Sequence, residues 1–298
     1  MRGAALCAAL LLCGGAWAET FLRDPGPVLR DPIPGAAYEV ASDPHVTGDA
    51  MVYAGDDGGR IAIKLARRDG AGWRPDRVLI GSDVARPRFK ETPYHRVAAD
   101  GTHEIWFIGY DDEAAYRSEV FVARAAAIDG PYRVVPDPVV RLGTHDGHPV
   151  RVITSPSVVA HEGRLHLVFL GWDGFEDVTV VRSFGAVSDD GGRTWSAPEV
   201  VDVPIGMEGA VTPASGGGFV AARTVEHGSG GAVALSDADH PFGPWVPREG
   251  FALVQAGLPW EADEIIGAQV AYEAGRPVLY YTGADHAKGW WVMRAEAR

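Results

Sequence analysis

The chain has 298 residues, 38 of them Gly and 21 Pro, with a formal net charge of −13 and two cysteines. That length suits one large all-β domain or two small ones and can bury a full core. The acidity, with no run of Lys or Arg, argues against nucleic acid and anionic membrane surfaces as partners, because both require a basic footprint.

Residues 1–18 read as an export signal. Arg2 is the positive start, residues 4–12 are a short apolar run, and Ala16-Trp17-Ala18 is an Ala-x-Ala cleavage pattern. The run is too short to cross a bilayer and no later stretch is longer, so membrane insertion is not expected. Cys7 and Cys13 both fall inside this signal. The mature chain, 19–298, is therefore read as one secreted or periplasmic domain without disulfides, thiolate metal sites or a catalytic cysteine.

Downstream, short β-like runs recur in one outline. The first segment opens near Asp43, continues through runs 50–55 and 61–66, and closes on the turn Asp69-Gly-Ala-Gly-Trp73. The second opens near Glu91, with runs 103–109 and 119–123 and the turn Asp129-Gly-Pro-Tyr132. The third opens at Ser155, with runs 164–171 and 178–188 and the turn Asp190-Gly-Gly-Arg-Thr-Trp195. The fourth opens at Glu208, with runs 218–222 and 232–236 and the turn Phe242-Gly-Pro-Trp245. The fifth opens near Asp263, with runs 277–283 and 290–294, and lacks the closing turn. The runs are rich in β-branched and aromatic residues, and no helical period separates them. A repeat of roughly fifty to sixty residues holding four strands is one propeller blade. The prediction is an all-β, five-bladed propeller of four-stranded antiparallel blades. Residues 26–30 are expected to supply the missing strand of the last blade and close the ring. Trp73, Trp195 and Trp245 are expected to pack between blades.

The opening Asp43-Pro44-His45-Val46, the run Tyr280-Tyr281-Thr282-Gly283, the two Gly-Pro-aromatic turns and the dipeptide Glu208-Gly209 resemble the five-bladed propeller glycosidases of the arabinanase, β-xylosidase and invertase superfamily. The resemblance spans about residues 26 to 298. It implies a funnel on the propeller axis with three carboxylates at the inner strands of blades one, three and four: a base or nucleophile, a pKa modulator and an acid. Asp43 and Glu208 match the first and last of these. Blade three opens Thr154-Ser155-Pro156-Ser157, without an Asp.

Glycoside hydrolysis needs one carboxyl group that keeps its proton and one that stays ionised. Asp43 is read as base or nucleophile and Glu208 as general acid. Glu91 is read as the neighbouring charge that the third Asp would have supplied. His95, Ser155, Asp263 and Glu264 are candidate pocket residues, and Trp172, Trp260 and Tyr94 are candidates for stacking on sugar faces. No metal site is read from the residues: His145 and His148 are a lone pair in a loop. No cofactor is implied beyond a Ca²⁺ that a propeller axis could hold on oxygen ligands. Residues 188–195 fit an Asp-box, similar to sialidase repeats, which is a structural turn. The alternatives are a non-catalytic propeller that binds glycan or protein, for which Ser155 speaks, and a phosphorylase or lyase, which would require Arg96, Arg151 or Arg223 to converge.

Overall fold

The computed structural model describes residues 20–174 and 179–298. Residues 1–19, and with them the predicted export signal and both cysteines, lie outside the described residues, as do residues 175–178.

All regular structure among the described residues is strand. After β1 (Phe21–Arg23), the first sheet is β2 (Glu39–Thr47), β3 (Ala50–Asp56), β4 (Ile61–Asp69) and β5 (Gly72–Ile80). The second is β6 (Phe89–Val97), β7 (His103–Tyr110), β8 (Glu119–Ala125) and β9 (Arg133–Val134). A hairpin of β10 (Gly143–His145) and β11 (His148–Val150) precedes the third sheet, which is β12 (Val152–His161), β13 (Arg164–Trp172), β14 (Val181–Ser188) and β15 (Glu199–Val200). The fourth is β16 (Val211–Pro213), β17 (Phe219–His227), β18 (Gly230–Ala238) and β19 (Val246–Pro247), with β20 (Leu253–Val254) added to β18. The fifth is β21 (Glu264–Glu273), β22 (Arg276–Asp285) and β23 (Gly289–Ala297). Within each sheet the chain meanders antiparallel in sequence order.

The fifth sheet gains its fourth strand from the start of the chain. β1 pairs antiparallel with β23, Phe21 opposite Ala297. The predicted donor, residues 26–30, is not that strand: it meets β23 at one place, where Val28 and Leu29 both donate their N–H to the Val292 carbonyl, at 2.9 and 3.3 Å. Phe21 is the residue that fits the role, because it alone in β1 is buried, at 2 % exposure. β2 also makes a short parallel pairing with β23, which joins the first and fifth sheets edge to edge. Buried polar groups lock the same seam. Glu39 accepts hydrogen bonds from the Asp31 N–H at 2.7 Å, the Arg30 Nη2 at 2.6 Å and the Trp291 Nε1 at 3.0 Å, so its charge is paired inside the core.

The closing turns carry aromatic residues from one sheet onto its neighbour. Trp73 of the first sheet donates from Nε1 to the Tyr280 hydroxyl of the fifth at 3.3 Å. Trp195, after the third sheet's β14, lies edge-on to Trp106 of the second, with centroids 5.5 Å apart. Trp245 packs half-buried on the cluster that includes Phe219 and Leu165. The Asp-box is a turn, as its pattern implies: Asp190 accepts from the N–H groups of Arg193 and Thr194 and from the Thr194 hydroxyl. The His145–His148 segment is a tight hairpin, with Asp146 and Gly147 both at positive φ.

Candidate active site

Each sheet's innermost strand carries the same backbone irregularity. In β2, β6, β12 and β21 the register slips by a bulge, and the residue at the slip has positive φ: Asp43 (52°), Thr92 (46°), Ser155 (58°) and Gly267 (63°). Glu208 (57°) holds the same place just before β16. Bulges re-aim a side chain, and left-handed backbone costs L-residues roughly 1–2 kcal/mol each, so five such positions in phase are a built feature. Three of them precede proline, in Asp43-Pro44, Thr92-Pro93 and Ser155-Pro156.

These residues meet at one place. Asp43, Thr92, Ser155 and Glu208 line a cavity of about 20 Å³ together with His45, Tyr94 and Gln269. Hydrogen bonds tie the sheets around it. The Asp43 N–H donates to the Thr282 hydroxyl at 2.9 Å, the Thr92 N–H donates to Asp43 Oδ2 at 3.2 Å, and the Ser155 hydroxyl donates to the Gly206 carbonyl at 3.1 Å. Residues two further along their strands, among them His45, Tyr94 and Gln269, line the same cavity. Tyr94 donates across it to the Val211 carbonyl at 3.0 Å, and Gln269 accepts from the Val46 N–H at 2.8 Å.

The carboxyl groups of Asp43 and Glu208 are within hydrogen-bonding reach of each other, and both are pushed up in pKa, Glu208 well above the usual carboxylate range. Burial is the main cause for each. For Glu208 the Asp43 charge adds to it. With two carboxyl groups so placed, ionisation of one disfavours ionisation of the other. Glu91 comes third. It is pushed up to about 7, first by burial, with the Asp43 charge adding, although it accepts hydrogen bonds from the hydroxyls of Tyr110 at 2.5 Å and Tyr116 at 2.7 Å. Glu91 and Glu208 keep some contact with solvent while deep in the cleft, so their desolvation is that of a cleft and not of a sealed core.

The structure thus brings together Asp43, Glu91 and Glu208. The repeat phase is corrected at two sites. Thr92, not Glu91, holds the position equivalent to Asp43 in the second sheet, and Gly267, not Asp263, holds it in the fifth. Glu264 lies near enough for its charge to raise Glu208, and it binds His286 Nε2 at 2.6 Å. Asp263 is exposed and accepts from the His286 N–H at 2.5 Å. Ser155 faces the cavity but spends its hydroxyl on the backbone. Three candidates are corrected. His95 is buried further along β6, its ring against Thr47 and His103, away from Glu91. Trp260 packs edge-on to Trp291 with Arg30 over its ring. Tyr94 is a buried plug against His45, centroids 4.1 Å apart. Trp172 ends β13 half-buried on core residues. Arg96 is paired with Glu104 at 3.4 Å at the far end of β6 from Glu91, and neither Arg151 nor Arg223 lines the cavity. Tyr110, Tyr116 and Thr92 were missed. The recurring X-Pro at one phase of the repeat was the signal for Thr92; nothing local marked the tyrosines.

A Ca²⁺ on the axis is not favoured by the donors present. Four buried polar atoms without a partner, Asp43 Oδ1, His45 Nε2, Thr92 Oγ1 and Glu208 Oε2, belong to residues around the 20 Å³ cavity. Ca²⁺ takes six to eight oxygens. This set offers three and an imidazole nitrogen, in a volume that holds one water. The described residues contain no group of three or more His, Cys, Asp or Glu suited to a metal.

No protein-family model and no curated protein matches the chain. Solved structures do match. An endo-arabinase from Bacteroides thetaiotaomicron superposes with a TM-score of 0.64 at 12 % identity, over 90 % of this chain and 96 % of that one. An α-L-arabinofuranosidase from Podospora anserina, in complex with cellotriose, gives 0.67 at 10 % identity over 94 % and 97 %. The chain shares its fold with the β-propeller glycoside hydrolases. An N-acetylgalactosamine deacetylase from F. plautii, in complex with blood group B trisaccharide, is as similar, at 0.69 and 14 % identity over 94 % and 96 %. The fold therefore carries more than one chemistry, and the reaction has to be argued from the site.

Proposed function

We propose that the protein is a secreted or periplasmic glycoside hydrolase acting on a poly- or oligosaccharide. It is read as a five-bladed propeller whose ring β1 closes. The observation that carries the proposal is the convergence of Asp43, Glu91 and Glu208 at the axis, with all three raised in pKa and Glu208 the most protected from ionising. Glu208 serves as general acid, holding the proton that the leaving oxygen takes. Asp43, which accepts hydrogen bonds from the Thr92 N–H and the Ser42 hydroxyl, is the more readily ionised partner and serves as base or nucleophile. Glu91 keeps Glu208 protonated through its charge, the task that an Asp at Ser155 would otherwise perform. In the free protein Asp43 and Glu208 touch. A retaining enzyme needs its two carboxyl groups roughly 5–5.5 Å apart and an inverting one about 6.5–9.5 Å. Sugar binding must therefore part them, inserting between the two acids.

The non-catalytic reading keeps one observation of its own: Ser155 occupies the third carboxylate position and donates to backbone. Reducing-sugar release over a panel of polysaccharides and aryl glycosides, beside Glu208→Gln, separates the two. Hydrolysis predicts release that the variant lowers by about 10²–10⁴-fold, the usual worth of a general acid. No release from any substrate, with a sugar still raising the melting temperature, would leave the binding reading standing.

A further inference from the structure

Glu91 is solvated by phenols. The Tyr110 hydroxyl, from the end of β7, donates to its Oε1 at 2.5 Å, and the Tyr116 hydroxyl, from the loop before β8, donates to its Oε2 at 2.7 Å. Each carboxyl oxygen therefore has its own donor. An ionised carboxylate accepts both bonds. A protonated one carries an O–H where one of those phenols has to donate, so one bond is lost or reversed. The two phenols thus favour the ionised form, against the burial that favours the protonated one.

Both rings are held in place. Tyr110 is buried, its ring stacked on Phe89 with centroids 5.0 Å apart and meeting the Tyr116 ring at 4.7 Å. Tyr116 has φ 42°, left-handed backbone that a bulky residue enters only under strain. The loop enforces that conformation from both ends. Asp112 Oδ1 accepts from the Ala114 N–H at 3.1 Å, and the Asp112 carbonyl accepts from the Tyr116 N–H at 3.0 Å. Two residues on, the buried Ser118 hydroxyl donates to the Ile153 carbonyl of β12 at 2.5 Å.

The charges that act on Glu91 are negative, from Asp43 on β2 and from Glu113 in the loop of Tyr116. Those that act on Glu208 are negative too, from Asp43, Glu91 and Glu264. A cation beside Glu91 would ionise it but would also cancel its field at Glu208. Neutral phenols stabilise the charge without cancelling it. Burial first, and then the Glu91 charge, push both phenols well above their usual pKa, so they stay donors.

We propose that Tyr110 and Tyr116 are positioning residues that keep Glu91 ionisable inside the cleft, so that an acid of the second sheet takes over the task of the one absent at Ser155. The role rests on the reading of Glu91 as the charge that keeps Glu208 protonated, but the ionisation of Glu91 can be followed without any hydrolysis.

NMR of the side-chain carboxyl carbons in protein labelled at glutamate tests it, with the Glu91 signal assigned by its absence in Glu91→Gln. The parental midpoint should lie at about 7. Tyr116→Phe and Tyr110→Phe each keep the ring and remove one donor, and each should raise the midpoint by about one to two pH units, the worth of a hydrogen bond to a charge. Should Tyr116→Phe relax its strained loop, Tyr110→Phe, in regular β7, gives the same reading. In kinetics, the basic limb of kcat/KM reports loss of the general acid's proton. It should move to lower pH in Tyr116→Phe and in Glu91→Gln, and adding Tyr116→Phe to Glu91→Gln should move it no further. A Glu91 midpoint unmoved in both tyrosine variants would overturn the proposal, as would a raised midpoint with an unmoved basic limb. A parent that cleaves no substrate would end the hydrolytic reading alone, and the midpoint would still decide whether the tyrosines hold Glu91 ionisable.

Discussion

Glu91 couples the site to stability through pH. Its pKa is raised from 4.5 to about 7, so the folded state favours the protonated form. The stability it contributes is complete below about pH 4.5 and is lost as pH rises through 7. Glu91→Gln removes the ionisation and keeps the shape. It should melt higher than the parent at pH 8, by an amount set by at most about 3 kcal/mol, and should show no gain at pH 4; equal differences at the two pH values would contradict this. Thermal melts at both pH values decide it. Asp43 and Glu208 were legible as candidates because their short motifs sit at one phase of the repeat. Glu91 was legible as an acid but not as the partner of Tyr110 and Tyr116. Those tyrosines come from the end of β7 and the loop after it, and only pairing of β6 with β7 places the first of them against Glu91.

The informative element is the innermost strand with its bulge. Asp43, Thr92, Ser155 and Glu208 have left-handed backbone and line one cavity, and Gly267 takes the same conformation in the fifth sheet. The element also needs room behind it. A Cβ at Gly209 would lie 2.3 Å from the Ala222 carbonyl oxygen, and neither backbone can yield cheaply. Gly209→Ala is expected to displace Glu208, costing stability on the order of 1–3 kcal/mol and lowering activity more than 10²-fold. Denaturant unfolding and kinetics on one preparation check both parts; a variant with parental stability and rate would show that the loop is looser than this. The strand cores were read closely from period and composition: runs 103–109 and 164–171 became His103–Tyr110 and Arg164–Trp172. Bulges were not read, because a one-residue slip changes the phase of side-chain alternation, and the two or three residues on one side of each slip are too few to show the change.

At the scale of the molecule, the fifth sheet depends on the first described residues. β1 joins the last strand, and Phe21 is buried in the cluster around Leu279 and Trp291. Phe21→Ala should therefore cost about 3–5 kcal/mol and lower the melting temperature of the whole domain in a single transition. A loss confined to fraying of β23, with an unchanged melting temperature, would show that β1 only decorates the edge. The same scale explains why residues 26–30 were the wrong donor. Their apolar Val28 and Leu29 do reach β23 and bury Leu29, but Gly26 and Pro27 interrupt a ladder, whereas Phe21–Arg23 is free to form one.

By itself the sequence determined the strand repeat, the turns that end each sheet and the acids at its openings, because these are local properties: side-chain alternation, Gly and Asp at special φ, aromatics after turns. Tertiary structure alone decided which acids meet. Asp43, Glu91 and Glu208 are far apart along the chain, and their raised pKa values arise only where separate sheets converge and exclude water.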